Sequence, residues 1–261
     1  MEKYLQFAKD IAYEAGKIML KYFKEDNSSS YKLDNTIVTL ADTEINDYLI
    51  KRVKEEFKEH SVIGEESSFG SSDYIWVCDP IDGTAMYARN IPVAVFSLAL
   101  VEKGNPIVGV IYDPFTDNIY TAIKGQGTYK NNNKIKVNEL SLNDKKSVAN
   151  FDMWPSSKYN LYNSIKELGA KTYIVSIGSV ARACTCVANG DFTVAIFPGT
   201  KNKNCDIAAA KIIVEEAGGM VTDLFGNSQN YHQDINGAII SNGKVHEEVI
   251  NILKKEFKGV K

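Results

Sequence analysis

Asp79 and Asp82 stand three residues apart in Asp79-Pro80-Ile81-Asp82-Gly83-Thr84, directly after the apolar run Tyr74-Ile75-Trp76-Val77-Cys78. Two carboxylates with a main-chain carbonyl between them make a compact set of oxygen donors, the kind that hard cations such as magnesium require. The amides of the Gly-Thr turn that follows can face a phosphate. The segment reads as a metal-and-phosphate corner at the end of a strand, although Asp-Pro and Asp-Gly also form ordinary turns that need no function. Two more acidic segments accompany it. Gly64-Glu65-Glu66-Ser67 follows the apolar pair Val62-Ile63, so further carboxylates leave a second strand end. Cys205-Asp206-Ile207-Ala208-Ala209-Ala210 opens a helical run that closes at Glu215-Glu216-Ala217-Gly218-Gly219. Asp206 is there also a good helix N-cap, and capping and ligation are compatible if each uses a different oxygen.

The elements that must position these residues follow from periodicity. Tyr4, Leu5, Ala8, Ile11, Ala12, Ala15, Ile18, Met19 and Tyr22 recur at helical spacing and predict a first amphipathic helix, ended by Asn27-Ser28-Ser29-Ser30. A second helix is expected from near Ala41, with Ile45, Leu49, Val53 and Phe57 on one face. Between residues 62 and 137, apolar and β-branched runs at 74–78, 93–101, 107–112 and 118–123 are separated by Lys103-Gly104-Asn105-Pro106, Asp113-Pro114 and Asn131-Asn132-Asn133. That pattern predicts a meandering, largely antiparallel sheet backed by the two helices. Beyond it, strands near 148–153, 172–177, 192–197, 220–222 and 238–241 alternate with helices at 161–168, 179–188, 206–217 and 245–257, as in an α/β layer with helices on both faces. The fold class is therefore α+β passing into α/β, with an amino-terminal half over residues 1–143 and a carboxy-terminal half over 144–261. Gly218-Gly219 is expected to end a helix left-handedly, and Gly125-Gln126-Gly127 and the asparagine run to mark mobile surface.

Composition narrows the function classes. With 261 residues, 44% of them hydrophobic, the chain can form one large domain or two tightly packed halves. A formal net charge of -3 carries no footprint for nucleic-acid binding. Met1-Glu2-Lys3-Tyr4 runs straight into the amphipathic helix without the pattern of a signal peptide, and no stretch approaches a membrane span, so a cytoplasmic location is expected. Cysteines 78, 184, 186 and 205 lack structural-zinc spacing and read as reduced, mostly buried thiols. His60, His232 and His246 are scattered in polar surroundings, which gives histidine-based zinc or triad chemistry little support.

As a set, the three acidic segments resemble the inositol monophosphatase family, within the wider group of magnesium-dependent, lithium-sensitive phosphatases that includes fructose-1,6-bisphosphatases. Val38-Thr39-Leu40-Ala41-Asp42 is similar to that family's Val-Thr-x-x-Asp element, so the resemblance covers nearly the whole chain. It implies a layered α-β-α-β-α sandwich with the site where the halves meet, a homodimer, and hydrolysis of a small phosphate monoester. It also implies that Glu65, Asp79 and the Ile81 carbonyl hold one Mg2+, and that Asp79, Asp82 and Asp206 hold a second. Glu65 would help to place a third through water, and Mn2+ can substitute. By the same resemblance Thr84 and Asp42 activate the attacking water, so no covalent enzyme intermediate is required. Gly83 and Thr84 amides would cradle the phosphate; Gly178, Ser179, Lys201 and Lys203 are the further expected substrate contacts. Glu66 and Lys32 are expected to support the ligands from behind, Glu66 having solvated charge as its alternative.

The departures from the family pattern concern substrate recognition. Cys205 replaces the usual tryptophan, Met86-Tyr87 the usual Asn-Phe, and Thr36 an aspartate; Lys32 is only an offset candidate for the usual lysine. The inositol-contacting glutamate aligns near Phe197, followed by the basic loop Pro198-Gly199-Thr200-Lys201-Asn202-Lys203-Asn204. These features look more like broad-specificity or fructose-bisphosphatase-like members. The leading expectation is a Mg-dependent phosphomonoesterase for inositol monophosphate or a related sugar phosphate. The alternatives are a fructose-1,6-bisphosphatase, a 3'-phosphoadenosine 5'-phosphate phosphatase, or a noncatalytic regulatory protein that retains a phosphatase core.

Overall fold

The computed structural model describes residues 1–23, 29–31, 37–153, 157, 159–199, 203–235 and 237–257. Helix α1 (Glu2–Phe23) is followed by a small hairpin, β1 (Ser29–Tyr31) and β2 (Ile37–Thr39), and by α2 (Leu40–Glu56). Next come β3 (Ser61–Gly64), β4 (Ser68–Phe69), β5 (Tyr74–Asp82), the single turn α3 (Thr84–Tyr87), β6 (Val95–Glu102), β7 (Asn105–Asp113), β8 (Asn118–Ile123), β9 (Gly127–Lys130) and β10 (Asn133–Ile135). The remainder is β11 (Val148–Phe151), α4 (Tyr162–Gly169), β12 (Tyr173–Val175), α5 (Val180–Ala188), β13 (Val194–Phe197), α6 (Lys203–Glu216), β14 (Met220–Thr222), β15 (Ala238–Ser241) and α7 (His246–Leu253). Among the described residues no helix is long and apolar enough to cross a membrane.

The first eight-stranded sheet runs β10-β9-β8-β7-β6-β5-β3-β4, a meander in which only β3 and β5 pair in parallel. Its central strands are apolar on both faces because both are covered. Trp76, Cys78, Leu98 and Leu100 point into one core with Phe7, Ile11, Ile45 and Leu49 of α1 and α2. Val77, Ala99 and Val101, the alternate positions, point into another with Ala183, Val187, Ala209 and Ile213 of α5 and α6.

The second sheet, β12-β11-β13-β15-β14, has three parallel strands and then β15 antiparallel to both neighbours. Ala195 and Ile240 face the α5/α6 layer, whereas Val194, Ile196 and Ile239 face a third core with Leu168, Val249 and Leu253 of α4 and α7. The order is thus helix, sheet, helix, sheet, helix, the expected five layers, with α5 and α6 shared between the two sheets.

Several boundaries differ from the periodicity reading. Helix α6 starts at Lys203, three residues before the predicted N-cap, so Asp206 lies inside its first turn. The Gly125-Gln126-Gly127 turn, expected as mobile surface, is tied to α6: both glycine N–H groups donate to the Glu216 carboxylate, at 2.7 and 2.8 Å. His60 is not in polar surroundings but stacks between Phe57 and Tyr74, with ring centroids 4.9 and 5.2 Å away. The four cysteines are free, three of them buried.

Candidate active site

A three-residue spacing on a regular strand would send Asp79 and Asp82 to opposite faces of the sheet. The pairing of β5 with β6 prevents this. Asp79 lies opposite Ser97 but Asp82 opposite Val95, so β5 spends one more residue than β6 over this stretch, a β-bulge that re-aims the chain. Ile81 N–H donates to Asp79 Oδ1 at 3.0 Å within the bulge. From the other half of the chain, the first turn of α6 brings Asp206. Asp79, Asp82 and Asp206 then offer carboxylate oxygens that all lie within 4.8 Å of one another. The three residues are only 3%, 3% and 4% exposed.

Burial, followed by the nearby Glu65, Asp206, Asp82 and Asp42 carboxylates, pushes the Asp79 carboxyl well above the usual range. Three carboxylates converging in a buried place fit a hard divalent cation, which supplies the charge that lets them all ionise. Glu65 stands at the start of the loop after β3, its N–H donating to Cys78 O at 3.1 Å. Asn46 of α2 holds this loop through Nδ2, at 2.7 Å to Ser67 Oγ and 3.2 Å to Ser67 O. Glu65 and Glu66 are half-buried. Open space adjoins the cluster: Glu65 and Cys205 line a recess of about 240 Å³ together with Asn204 and Asp234.

Asp82 is gripped by the start of α5. Its carboxylate accepts the Ser179 hydroxyl, Val180 N–H at 3.2 Å and Ala181 N–H at 2.8 Å. These donors belong to the positive end of a helix dipole, which favours the ionised carboxylate. Ser179 Oγ also accepts from Arg182 N–H at 3.2 Å as the helix N-cap. The close approach explains Gly83. Its φ of 95° is left-handed, and a Cβ there would come within 3.0 Å of Ser179 Cβ and 3.1 Å of the Gly178 carbonyl. Gly178, with φ 81°, lies under Met86, whose Cγ would be 2.9 Å from an added Cβ.

Asp42 enters from α2 and is fully buried. Its Oδ2 accepts both the N–H and the hydroxyl of Thr39, at 2.8 and 2.6 Å, one arm of a capping box. Its carboxyl is pushed up to about 7, chiefly by burial, with Glu65 and Glu66 adding to the rise and Thr39 opposing it. Thr84 Oγ1 donates to the Ile81 carbonyl at 2.8 Å and stands 3.5 Å from Asp42 Oδ1, too far for a well-formed bond.

The structure therefore brings together Asp42, Glu65, Asp79, Ile81, Asp82, Gly83, Thr84, Ser179 and Asp206. The Ser179 hydroxyl, expected to meet substrate, is directed at Asp82. Phe197, expected beside the substrate ring, is fully buried in the core under α5 and α6, because the register of β13 turns it away from the site. Lys32 and Lys201 lie outside the described residues, as does the side chain of Lys203. Sequence reading placed Thr39 in the Val-Thr-x-x-Asp element without its role as partner of Asp42, and missed Asn46 and Arg182, which acts by pairing with buried Asp113 to dock α5 on the first sheet. Only Thr39 left a local signal, the Thr-x-x-Asp pattern of a capping box.

These shifts predict how stability varies with pH. Unfolded aspartates titrate near 3.8, whereas Asp42 holds its proton to about 7 and Asp79 also holds its proton well above 3.8. Between 3.8 and 7 folded Asp42 binds more protons than unfolded, so its contribution is complete below pH 3.8 and disappears as pH rises toward 7, and Asp79 acts in the same direction. His60 and His246, lowered by burial, act oppositely and lose stability as pH falls below 6.5. Because a divalent cation at this cluster would bind the ionised folded form, the difference in melting temperature with and without Mg2+ is expected to widen from pH 5 to pH 8. Differential scanning calorimetry on chelated and Mg2+-loaded protein checks this; a difference that narrows with pH would contradict the assignment.

Comparison with known proteins gives the same answer. The Inositol monophosphatase family model matches residues 1–257. A fructose-1,6-bisphosphatase/inositol-1-monophosphatase from Thermotoga maritima is 31% identical over 240 residues, covering 91% of this chain and 90% of that one. A solved Thermotoga maritima IMPase superposes with a TM-score of 0.87 at 27% identity, over 100% of both chains. An IMPase/NADP phosphatase solved with Mg2+ and phosphate does so with a TM-score of 0.85 at 25% identity, over 97% of this chain and 95% of that one. With its paired sheets, its shared helical layer and its bulged carboxylate strand, the chain belongs to the inositol monophosphatase family.

Proposed function

We propose that the protein is a Mg2+-dependent phosphomonoesterase acting on inositol monophosphate or a related sugar phosphate. The observation that carries this reading is the convergence of Asp79, Asp82 and Asp206 from both halves of the chain beside Thr84 and Asp42. Asp79, Asp82, Asp206, Glu65 and the Ile81 carbonyl would hold the cations, two or three Mg2+ ions that Mn2+ can replace. When bound, they would neutralise charge on the phosphoryl group and make water a stronger nucleophile.

The chain's own residues do the rest. Thr84 Oγ1 orients the attacking water. Rotation of its hydroxyl from the Ile81 carbonyl to Asp42 Oδ1 links that water to a buried carboxyl basic enough to take a proton near neutral pH. Water oxygen then bonds to phosphorus as the ester P–O bond breaks, the leaving oxygen takes a proton from solvent water to depart as the alcohol, and the Gly83 and Thr84 amides hold the phosphate. Arg182 and Asp113 keep α5, and with it Asp82, fixed against the first sheet. Glu66 and Asn46 support the Glu65 loop. Family resemblance adds lithium inhibition, a homodimer and a cytoplasmic location to the same reading, with Lys32, Lys201 and Lys203 as candidate substrate or site contacts.

A substrate panel tests the proposal. Phosphate release with Mg2+ from inositol 1-phosphate, fructose 1,6-bisphosphate, NADP+ and 3'-phosphoadenosine 5'-phosphate is compared as kcat/KM. At least one sugar or inositol phosphate is expected to be the best substrate. Turnover of none would overturn the reading, and strong preference for either nucleotide would replace its substrate class.

A further inference from the structure

Behind the turn that grips Asp82 lies a polar group that the chemistry above does not use. Asn150 on β11 and Asp152 just beyond it alternate on an extended chain, so their side chains leave the same face. They are 0% and 4% exposed in a strongly apolar layer. Asn150 Nδ2 donates to Asp152 Oδ2 at 2.8 Å. The other acceptors of the pair reach the segment joining β12 to α5. The Ser176 hydroxyl donates to Asp152 Oδ1, and Ile177 N–H donates to Asn150 Oδ1 at 3.0 Å. One residue later the chain turns left-handed at Gly178, and the next residue is Ser179, which grips Asp82.

Replacing buried charged groups by well-packed apolar side chains of the same volume is often neutral or stabilising, so stability is weak ground for burying this pair. Direction is the stronger ground. Hydrogen bonds at fixed angles hold Ser176 and Ile177 in one place, where apolar contacts would allow the segment to slide. Resting on the cation-dependent reading above, we infer that Asp152, partnered by Asn150, is a positioning residue for Asp82. It fixes Ser176 and Ile177, and through them Ser179 and the α5 amides, so that the Asp82 carboxylate meets the cation in a single geometry. The Arg182–Asp113 pair docks α5 independently, so loosening Asp152 disturbs aim more than fold.

Asp152→Asn keeps shape but turns one acceptor into a donor, which faces either the Asn150 amide or the Ser176 hydroxyl, so one of the two donors that now hold position 152 loses its acceptor. The exchange N150D/D152N restores every pairing: the amide at position 152 accepts from Ser176 and donates to the carboxylate at position 150, which accepts from Ile177 N–H. Mg2+ affinity of the full chain is measured by calorimetry, beside kcat, KM and melting temperature. Asp152→Asn is expected to weaken Mg2+ about tenfold and to lower kcat more than it raises KM, and the exchange to restore affinity to within about twofold. Ser176→Ala, a gentler change, should weaken Mg2+ in the same direction and decides the matter with the exchange if Asp152→Asn fails to fold. Wild-type affinity in both Asp152→Asn and Ser176→Ala, or an exchange that restores melting temperature without Mg2+ affinity, would overturn the inference. Wild-type protein that binds Mg2+ but hydrolyses no ester overturns the proposed function instead, because affinity alone still decides the role of Asp152.

Discussion

Exhaustive chelation is expected to abolish phosphate release, and added Mg2+ to restore it. The reason lies in the donor set: Asp79, Asp82 and Asp206 converge as buried hard oxygens, with no imidazole in the cluster, so their charge has to be neutralised by a hard cation before an anionic ester can approach. The same treatment is expected to lower thermal stability, since on this reading the cation would bind the folded chain, which alone assembles the proposed ligands from β5 and α6. At a hundredfold excess over the dissociation constant, that linkage is worth about 2.7 kcal/mol, or on the order of 5–10 °C in melting temperature for a chain of this size. Release that continues unchanged after chelation, measured as inorganic phosphate, would remove the site from the chemistry.

Asp82→Asn is expected to lower kcat by roughly three orders of magnitude, because losing several kcal/mol of charge stabilisation in the transition state translates at about 1.4 kcal/mol per tenfold. Thermal stability without Mg2+ should change little, through opposed effects. An amide nitrogen at this position meets one of the three donors from Ser179, Val180 and Ala181, which destabilises. Removing one charge from the neighbourhood of Asp79 and Asp206 stabilises. The Mg2+-induced rise in melting temperature should disappear with the activity. A variant that keeps both full turnover and the Mg2+-induced rise would show that Asp82 is not a ligand. One that simply fails to fold at low cation concentration would show instead that the α5 cap outweighs the repulsion.

The sequence by itself determined what depends on residue type and local period. The oxygen-rich segments at 64–67, 79–84 and 205–206, the helical stripe of α1 and the alternation of β5 to β8 were all legible, because each is written within a few turns of helix or a single strand. The reaction class was legible as well, through the resemblance of those segments, taken as a set, to the inositol monophosphatase family. Tertiary structure decided where those residues point. Asp79 and Asp82 share a site only because β5 bulges against β6, a pairing that no spacing along β5 encodes. Asp206 is a first-turn residue and not an N-cap because α6 begins at Lys203. Phe197 faces the core and not a substrate because β13 takes its register from β11 and β15. Asn150, Asp152 and Ser176 carry no local motif and meet only because β11 and the β12–α5 segment pack together. The hydrogen bonds that tie Ser176 and Ile177 to the Asn150–Asp152 pair join residues 24 and 27 positions apart, and contacts of that span are fixed by the closing of the sheets, not by the local pattern of the chain.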